Sequence, residues 1–477
     1  MIRAHVFDGR VNSELLFIAI ILAILFCWFL RRKITSPPPP LSPPPPPPPK
    51  AKLGEFCMVR KGLSYKGKYI HQEGPALLGI GTIKEGGGFR PENVRTYGGP
   101  YKPEHVLKPG DVYLALTSQD GLLIGSPAKV PEDFPGIGIT THHDAKIEWL
   151  TDDPQMRSFL YWVMHTHGFI RHCINFSTGT TVYATNPKDV ERFEVPSELT
   201  ENQILVSEIL NMIEEYKHQI IETNNVLNSL IESIFHSWFI DFDPVVEISS
   251  NSNSTAIFEK KIGALFPDSL QDSELGRIPS GWKVRYISEL YDTQRGFSYS
   301  RNHLCGSEEG TPMVNLASFI GGGGFKRSGL KHISAEYKKE LLIRDNDVLI
   351  ATVDLTPDLR VVGSPLIPPS NLKRNSIFSQ DLLALRASQE LDLGRGYLFQ
   401  WIKARRGILQ QWSSGTTVSR FPPKALNRFP ILVPSKKILD EFNSRFENVQ
   451  RQIENNNLTL TKLEAKKASL LGILLLG

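Results

Sequence analysis

Lysine and arginine recur at matching places in the two halves of this chain. The first half offers Arg60, Lys61, Lys66 and Lys68 around Gly62, then Lys84, Arg90 and Arg95 around the Gly86-Gly-Gly-Phe89 run. The second offers Arg295 and Arg301 around Gly296, then Lys326, Arg327 and Lys331 beside Gly322-Gly-Gly-Phe325. Cations on glycine-bounded loops can neutralise phosphates, and polar side chains beside them can read base edges. For any one of these residues a solvated basic face is an equally good reading. Their coincidence in both halves, with identities that drift, is what position-for-backbone and identity-for-sequence would produce. Thr180 and Thr181 in one Ser-x-Gly-Thr-Thr-Val loop, and Thr416 and Thr417 in the other, could donate to phosphate. The same loops could equally be turn-and-cap chemistry after a helix. Gln119, His142, His143, Asp354 and Gln380 fall on expected loops and are candidates for base contact.

Enzymatic chemistry finds less support. Asp243-Pro-Val245 lacks the second proline and the aromatic of an amino-methyltransferase motif, and no glycine-rich cofactor loop accompanies it. No GxxxxGK[ST] loop exists, and Gly79-Ile-Gly81 and Gly136-Ile-Gly138 are too short for a dinucleotide site. His165 and His167 close an apolar helix, where packing is the commoner use of such residues. The four cysteines (Cys27, Cys57, Cys173, Cys305) are scattered without a CxxC pair, which argues against a zinc site or a disulfide framework. No catalytic or metal residue is expected. The net charge of +4 permits an anionic partner without requiring one.

The elements that carry these loops occur twice. Phe176-Ser-Thr-Gly-Thr-Thr-Val182 returns as Trp412-Ser-Ser-Gly-Thr-Thr-Val418, a shift of 236 residues. The Gly-Gly-Gly-Phe runs, Asp111-Val112 with Asp347-Val348, and Arg192-Phe193 with Arg428-Phe429 keep the same shift. Gly62-Leu-Ser-Tyr65 answers to Gly296-Phe-Ser-Tyr299 at a shift of 234. A duplicated unit of this length is too long for a solenoid repeat. Apolar runs with turn punctuation predict strands at 76–80, 111–116 and 146–149, and at 311–316, 347–352 and 381–385. Helices are expected at 156–167 and 395–410. Each unit therefore reads as an α+β domain.

A long helix follows each unit. Ile209, Ile213, Tyr216, Ile220, Thr223, Leu227, Leu230 and Ile234 alternate steps of four and three, a heptad seam. Phe442, Phe446, Val449, Ile453, Asn456, Leu460 and Leu463 repeat the pattern. Each seam carries a polar residue near its middle, Thr223 or Asn456, which fixes register at some cost in stability. The two helices are expected to zip together as an antiparallel coiled coil, a rod of roughly 55 Å holding one domain at each end. Two readers on such a rod suit half-sites about one helical turn of DNA apart.

The first fifty residues are of another kind. An uncharged apolar run of 16 residues at 15–30 is closed by Arg31-Arg32-Lys33 and followed by proline tracts. It reads as a membrane helix with a cytoplasmic C-terminal side and a polyproline spacer. A signal-peptide core and an upstream extension of the gene are the rival readings.

Ser233-Ile-Phe-His-Ser-Trp-Phe-Ile-Asp-Phe-Asp-Pro-Val245, the Ile278-Pro-Ser-Gly-Trp282 segment and the two Ser-x-Gly-Thr-Thr loops resemble the specificity subunit of a type I restriction–modification enzyme. The likeness runs from Lys52 to about Leu475. It implies two homologous target-recognition domains, 52–199 and 281–434, each reading half of a split DNA sequence. Two conserved spacer helices, 200–243 and 435–477, would join them, with linkers at 31–51 and 244–280 and an N-terminal tail at 1–14. It also implies a non-catalytic chain with partner-docking residues Trp238, Phe239, Asp241, Phe242 and Asp243. Two DNA adenine methyltransferase subunits and a restriction nuclease–translocase would be its partners. S-adenosylmethionine, ATP and magnesium would be bound by those partners and no cofactor by this chain. The family is soluble and cytoplasmic; the apolar prefix and the missing Trp-Phe-x-Asp-Phe after the second helix depart from it. The alternative is a membrane-tethered scaffold, anchored at the inner face of the plasma membrane, whose repeats bind protein.

Overall fold

The computed structural model describes residues 49–249, 260–356, 358–373, 375–388, 392–415 and 418–475. The expected membrane helix at 15–30, nearly all of the proline-rich linker, and Thr416 and Thr417 lie outside the described residues. Among those described, no helix is long and apolar enough to cross a membrane. The chain divides into two compact units, Met1–Ser207 with Leu474–Gly477, and Glu208–Ile473.

In the first unit Val112–Ala115 is buried at all four positions, as a strand covered on both faces must be. It lies inside an antiparallel sheet of order Cys57–Lys61, Asp144–Trp149, Val112–Ala115, Pro127–Lys129. A second sheet joins Arg95–Thr96, Ala76–Leu78, Gly138–Thr140 and Val106–Leu107, with Ala76–Leu78 parallel to Gly138–Thr140. The second unit repeats the antiparallel sheet strand for strand and three strands of the mixed one, whose fourth strand is added at the opposite edge. Tyr291–Arg295, Leu382–Ala387, Val348–Ala351 and Pro365–Leu366 form the antiparallel sheet. Leu304–Cys305, Lys331–Ile333, Thr311–Val314 and Ile377–Phe378 form the mixed one. Each expected strand is present within a few residues of its predicted ends.

The expected helix at 156–167 is two helices. Pro154–Val163 starts on Asp153, whose carboxylate accepts from Gln155 N at 2.8 Å, and it carries proline in its first turn. The Thr166 hydroxyl then accepts from Phe169 N and opens His167–Asn175. In the second unit the break falls at Arg405, between Arg395–Ala404 and Arg406–Gln411. Apolar spacing continues across both breaks, so periodicity alone could not find them.

The residues common to the two halves hold the frame. A Cβ on Gly62 would lie 2.4 Å from the Thr141 carbonyl oxygen, and one on Gly296 2.2 Å from that of Ser379. Only glycine allows the strands to approach so closely there. Asp111 accepts from Lys108 N at 2.9 Å and from Lys146 Nζ at 2.7 Å. Asp347 likewise accepts from Arg344 N at 2.9 Å, and its carboxylate grips Arg386 through Nε at 2.9 Å and a terminal nitrogen at 3.0 Å. The shared Asp-Val pair therefore closes a turn and anchors a cation on the neighbouring strand.

Within the second unit the two long helices, Glu201–Phe239 from Glu208 onward and Lys436–Ile473, run antiparallel. Glu214 pairs with Lys467 at 2.9 Å and Lys217 with Glu464, while Asn224 donates to Asn457 at 3.3 Å and accepts from Asn456 at 2.7 Å. The second seam is as expected, with Asn456 in it. The first is corrected: Leu210, Ile213, Ile220, Asn224, Leu227 and Ile231 are buried, whereas Leu230 is 46% exposed and Thr223 faces solvent, its hydroxyl bonded to the Gln219 carbonyl. Paired apolar residues at 209–210, 220–221, 226–227 and 230–231 leave the heptad phase ambiguous in sequence. Packing chose the other member at several steps.

Candidate nucleic-acid interface

In each α+β domain the candidate cations sit at strand ends and on adjoining loops, at the Gly62 or Gly296 turn and at the glycine-run corner. In the first, the strand Cys57–Lys61 delivers Arg60 and Lys61 to the turn at Gly62, where Leu63 N donates to Thr140 O and His142 N to Leu63 O, both at 2.8 Å. Arg60 is largely neutralised by Glu148, with Nε 2.8 Å from Oε1. Lys61 is exposed and lies near His143. Burial first, then the neighbouring His142 and Lys61, holds the His143 imidazole below its ordinary range. Thr117 Oγ1 lies 3.0 Å from His143 Nδ1 and fixes that ring. The hairpin containing Thr180 and Thr181 is held beside these residues by Tyr183–Ala184, paired with Thr117–Ser118.

The second domain repeats the layout with other side chains. Arg295 pairs with Leu383 as Lys61 pairs with Ala145, and Arg295 Nε donates to the Gln380 carbonyl at 3.1 Å. The glycine runs also dock alike: Gly86 N donates to Ser126 Oγ at 3.1 Å and Gly322 N to Ser364 Oγ at 3.2 Å. The Gly86-Gly-Gly-Phe89 run and the Gly125-Ser-Pro127 turn, far apart in sequence, thus form one corner, as do Gly322-Gly-Gly-Phe325 and Gly363-Ser-Pro365 in the second domain. On its far side Arg90 N donates to Thr82 O and Lys326 N to Ser318 O, both at 2.9 Å or less, so these two cations hold equivalent places. Lys84 and Lys326 are exposed; Arg90 lies 3.9 Å from Glu92, and Arg327 bonds Asn371 Oδ1 at 3.0 Å. Lys66, Lys68 and Arg301 are exposed farther along the same loops, with the Lys68 ammonium 4.9 Å above the Tyr69 ring.

The Ser-x-Gly-Thr-Thr loops divide their labour. Ser177 Oγ donates to Ile174 O at 2.7 Å and Ser413 Oγ to Leu409 O at 2.9 Å, closing the preceding helices. Gly179 and Gly415 take φ of 123° and 127°, with a Cβ at either falling about 2 Å from the carbonyl oxygen of Val182 or Val418. These are the turn-and-cap roles. Thr180 and Thr181 stand exposed at the tip with their hydroxyls available, beside exposed Val182 and Tyr183.

Two expectations change. Asp354 is no base reader: burial raises its carboxyl, but Thr356 Oγ1 and N, Val361 N and Val362 N all donate to it and hold it below the usual range. Its work is to pin the loop that begins there. Trp238 and Phe239 offer no docking surface, being 2% and 0% exposed among Phe266, Trp282, Tyr397 and Phe442. Phe242, half-buried with φ of 58°, meets Trp282 edge-on. Of the five expected docking residues, Asp241 and Asp243 remain exposed. In sequence the motif reads as a partner surface because an aromatic cluster at a helix end looks the same whether it faces inward or outward. Cys57 and Cys173 are ill placed for nucleophilic chemistry: burial, with Glu191 adding for Cys57, pushes their thiols up to about 12.

No family model matches the chain. It is 19% identical over 327 residues to the type I restriction enzyme MjaIX specificity subunit of Methanocaldococcus jannaschii, across 68% of this chain and 69% of that one. Among solved structures it is similar to the S subunit of a type I restriction–modification system from M. genitalium, at 12% identity and a TM-score of 0.48, covering 91% of this chain and 98% of that one. It is also similar to the HsdS subunit from Thermoanaerobacter tengcongensis, at 18% identity and a TM-score of 0.30, covering 91% and 97%. The resemblance read from the sequence is to type I specificity subunits, and the curated relative is one of them.

Proposed function

We propose that this chain is the DNA-sequence-specificity subunit of a type I restriction–modification complex, reading a bipartite target and directing methylation and restriction to it. The observation that carries the proposal is the alignment with a named specificity subunit over two thirds of both chains. The duplicated α+β domain, the equivalent cations Lys61 with Arg295 and Arg90 with Lys326, and the antiparallel helix pair support it. The chain itself is non-catalytic. It takes two DNA adenine methyltransferase subunits and a nuclease–translocase as partners, and those subunits bind S-adenosylmethionine, ATP and magnesium. The complex works in the cytoplasm.

The test is coexpression of the full chain with an adenine methyltransferase subunit encoded beside it, followed by mapping of methylated adenines in the host DNA. A split motif methylated only when this chain is present is the expected result. Binding of the purified chain to a duplex carrying that motif should fall steeply with salt, because each neutralised phosphate releases counterions. Methylation without a motif, or binding indifferent to salt, would overturn the proposal.

A further inference from the structure

The structure assigns the reading of one base to the same place in both domains: His142 in the first and Gln380 in the second, with Gln380 selecting adenine. This rests on the DNA-reading role proposed above and goes beyond it to a residue and a base. Thr141 and Ser379 make parallel bridges to Leu63 and Phe297. The next residue in each copy then donates its backbone N–H across the gap, His142 to Leu63 O and Gln380 to Phe297 O, both at 2.8 Å. The frame therefore fixes these two positions identically, through the close approach that Gly62 and Gly296 permit.

What differs is the side chain. A frame position held constant while its side chain changes is what a pair of readers for unlike half-sites needs. Each lies beside a cation of the equivalent pair: Arg295 Nε bonds the Gln380 carbonyl, and Lys61 acts on His143, whose ring centroid is 3.9 Å from that of His142. A phosphate anchor and a variable polar group thus share one edge in both domains. The Gln380 side chain is half-buried, and among the described residues its amide bonds no protein group. In the first domain the ring Nδ1 of His142 is buried without a partner. A glutamine amide can accept from adenine N6 and donate to N7 at once, a pairing that no other base offers.

Selection of the full-length chain against a library of randomised duplexes tests this. The wild type should recover a two-part consensus with an adenine at one position of one half. Gln380→Ala should lose preference at that base pair alone and bind the wild-type consensus about 10- to 100-fold more weakly. Gln380→Glu, nearly isosteric and so preserving the fold, should move the preference there to cytosine, whose N4 donates to a carboxylate. His142→Gln should create an adenine preference in the other half. An unchanged consensus in Gln380→Glu, or a loss spread evenly over all sequences, overturns the assignment while leaving the DNA-reading role intact. A wild type that selects no consensus overturns both.

Discussion

Arg386 is the residue whose removal should expose the frame most sharply. Its side chain is 9% exposed and that of Asp347 only 1%, and they meet through two nitrogens and two oxygens. The guanidinium also donates to Glu340 O at 2.6 Å and Leu342 O at 2.9 Å, tying the central strand of one sheet to the loop that closes the other. Arg386→Met leaves a buried carboxylate without its counter-charge, and breaking such a pair costs about 3–5 kcal/mol. The matching pair in the first unit, Lys146 with Asp111, is 18% and 29% exposed, so water replaces much of what Lys146→Met removes and the loss is about 1 kcal/mol. Hydrogen exchange read by mass spectrometry separates the two. At 1.4 kcal/mol per tenfold, Arg386→Met should speed exchange in Leu382–Ala387 by about 150-fold or more. Strand Asp144–Trp149 should be unaffected in that variant, and Lys146→Met should speed it by only about tenfold or less. Replacing both partners, Asp347→Leu with Arg386→Met, should recover most of the loss, since it buries no lone charge. Exchange in Leu382–Ala387 within threefold of wild type in Arg386→Met would refute the reasoning.

Three further outcomes follow from other contacts. Asp144 is fully buried with Oδ1 unpartnered and Oδ2 bonded by Thr141, and burial raises its carboxyl well above the ordinary range. A raised folded value gives full stability below the unfolded pKa, lost as pH climbs toward the folded one. The first unit should therefore weaken with rising pH over that interval in thermal melts, and Asp144→Asn should abolish the trend. Lys217→Glu places a third carboxylate beside Glu214 and Glu464 and should cost about 1–2 kcal/mol in a melt, with Glu464→Lys restoring more than half. Thr180→Ala with Thr181→Ala should leave stability within about 0.5 kcal/mol, both residues being exposed, yet weaken duplex binding measured by anisotropy. Unaltered binding would remove the hairpin tip from the interface.

Much of the architecture is legible in the sequence because duplication writes each structural requirement twice. Gly62 with Gly296 and Asp111 with Asp347 repeat because steric approach and a turn-closing carboxylate leave little choice of residue. The helix breaks at Thr166 and Arg405 are not legible, since a hydroxyl cap at one and a single residue of non-helical backbone at the other leave the apolar spacing undisturbed. The phase of the first seam was hidden by adjacent apolar pairs, and only the partner helix selects Asn224 over Thr223. At the candidate interface the exposure of Lys61, Lys84, Thr180 and Thr181 fits the reading from residue type. Neutralisation of Arg60 by Glu148, and the inward turn of Trp238 and Phe239 toward Phe266, Trp282, Tyr397 and Phe442, depend on residues distant in sequence, which no local pattern reports.

The same duplication separates frame from reader. Residues repeated in both halves close turns, cap helices or admit close strands, so their identity answers to the fold. Residues that occupy equivalent places with different side chains, Lys61 and Arg295, Arg90 and Lys326, His142 and Gln380, are released from that duty. The first two pairs keep their charge, as a phosphate contact requires, and the third does not, as a base contact allows. The loop after Val112–Ala115 and Val348–Ala351 diverges further. The register shifts from 236 to 238 residues between those strands and the Gly-Ser-Pro turns, so the second loop is two residues longer. Asp120 pins the shorter one through Ser118 and Leu122, Asp354 the longer through Thr356, Val361 and Val362. If the proposed DNA-reading role holds, two domains with one frame, one pattern of charge and unlike loops should read unlike half-sites, so the motif mapped from methylated adenines is expected to be asymmetric rather than palindromic.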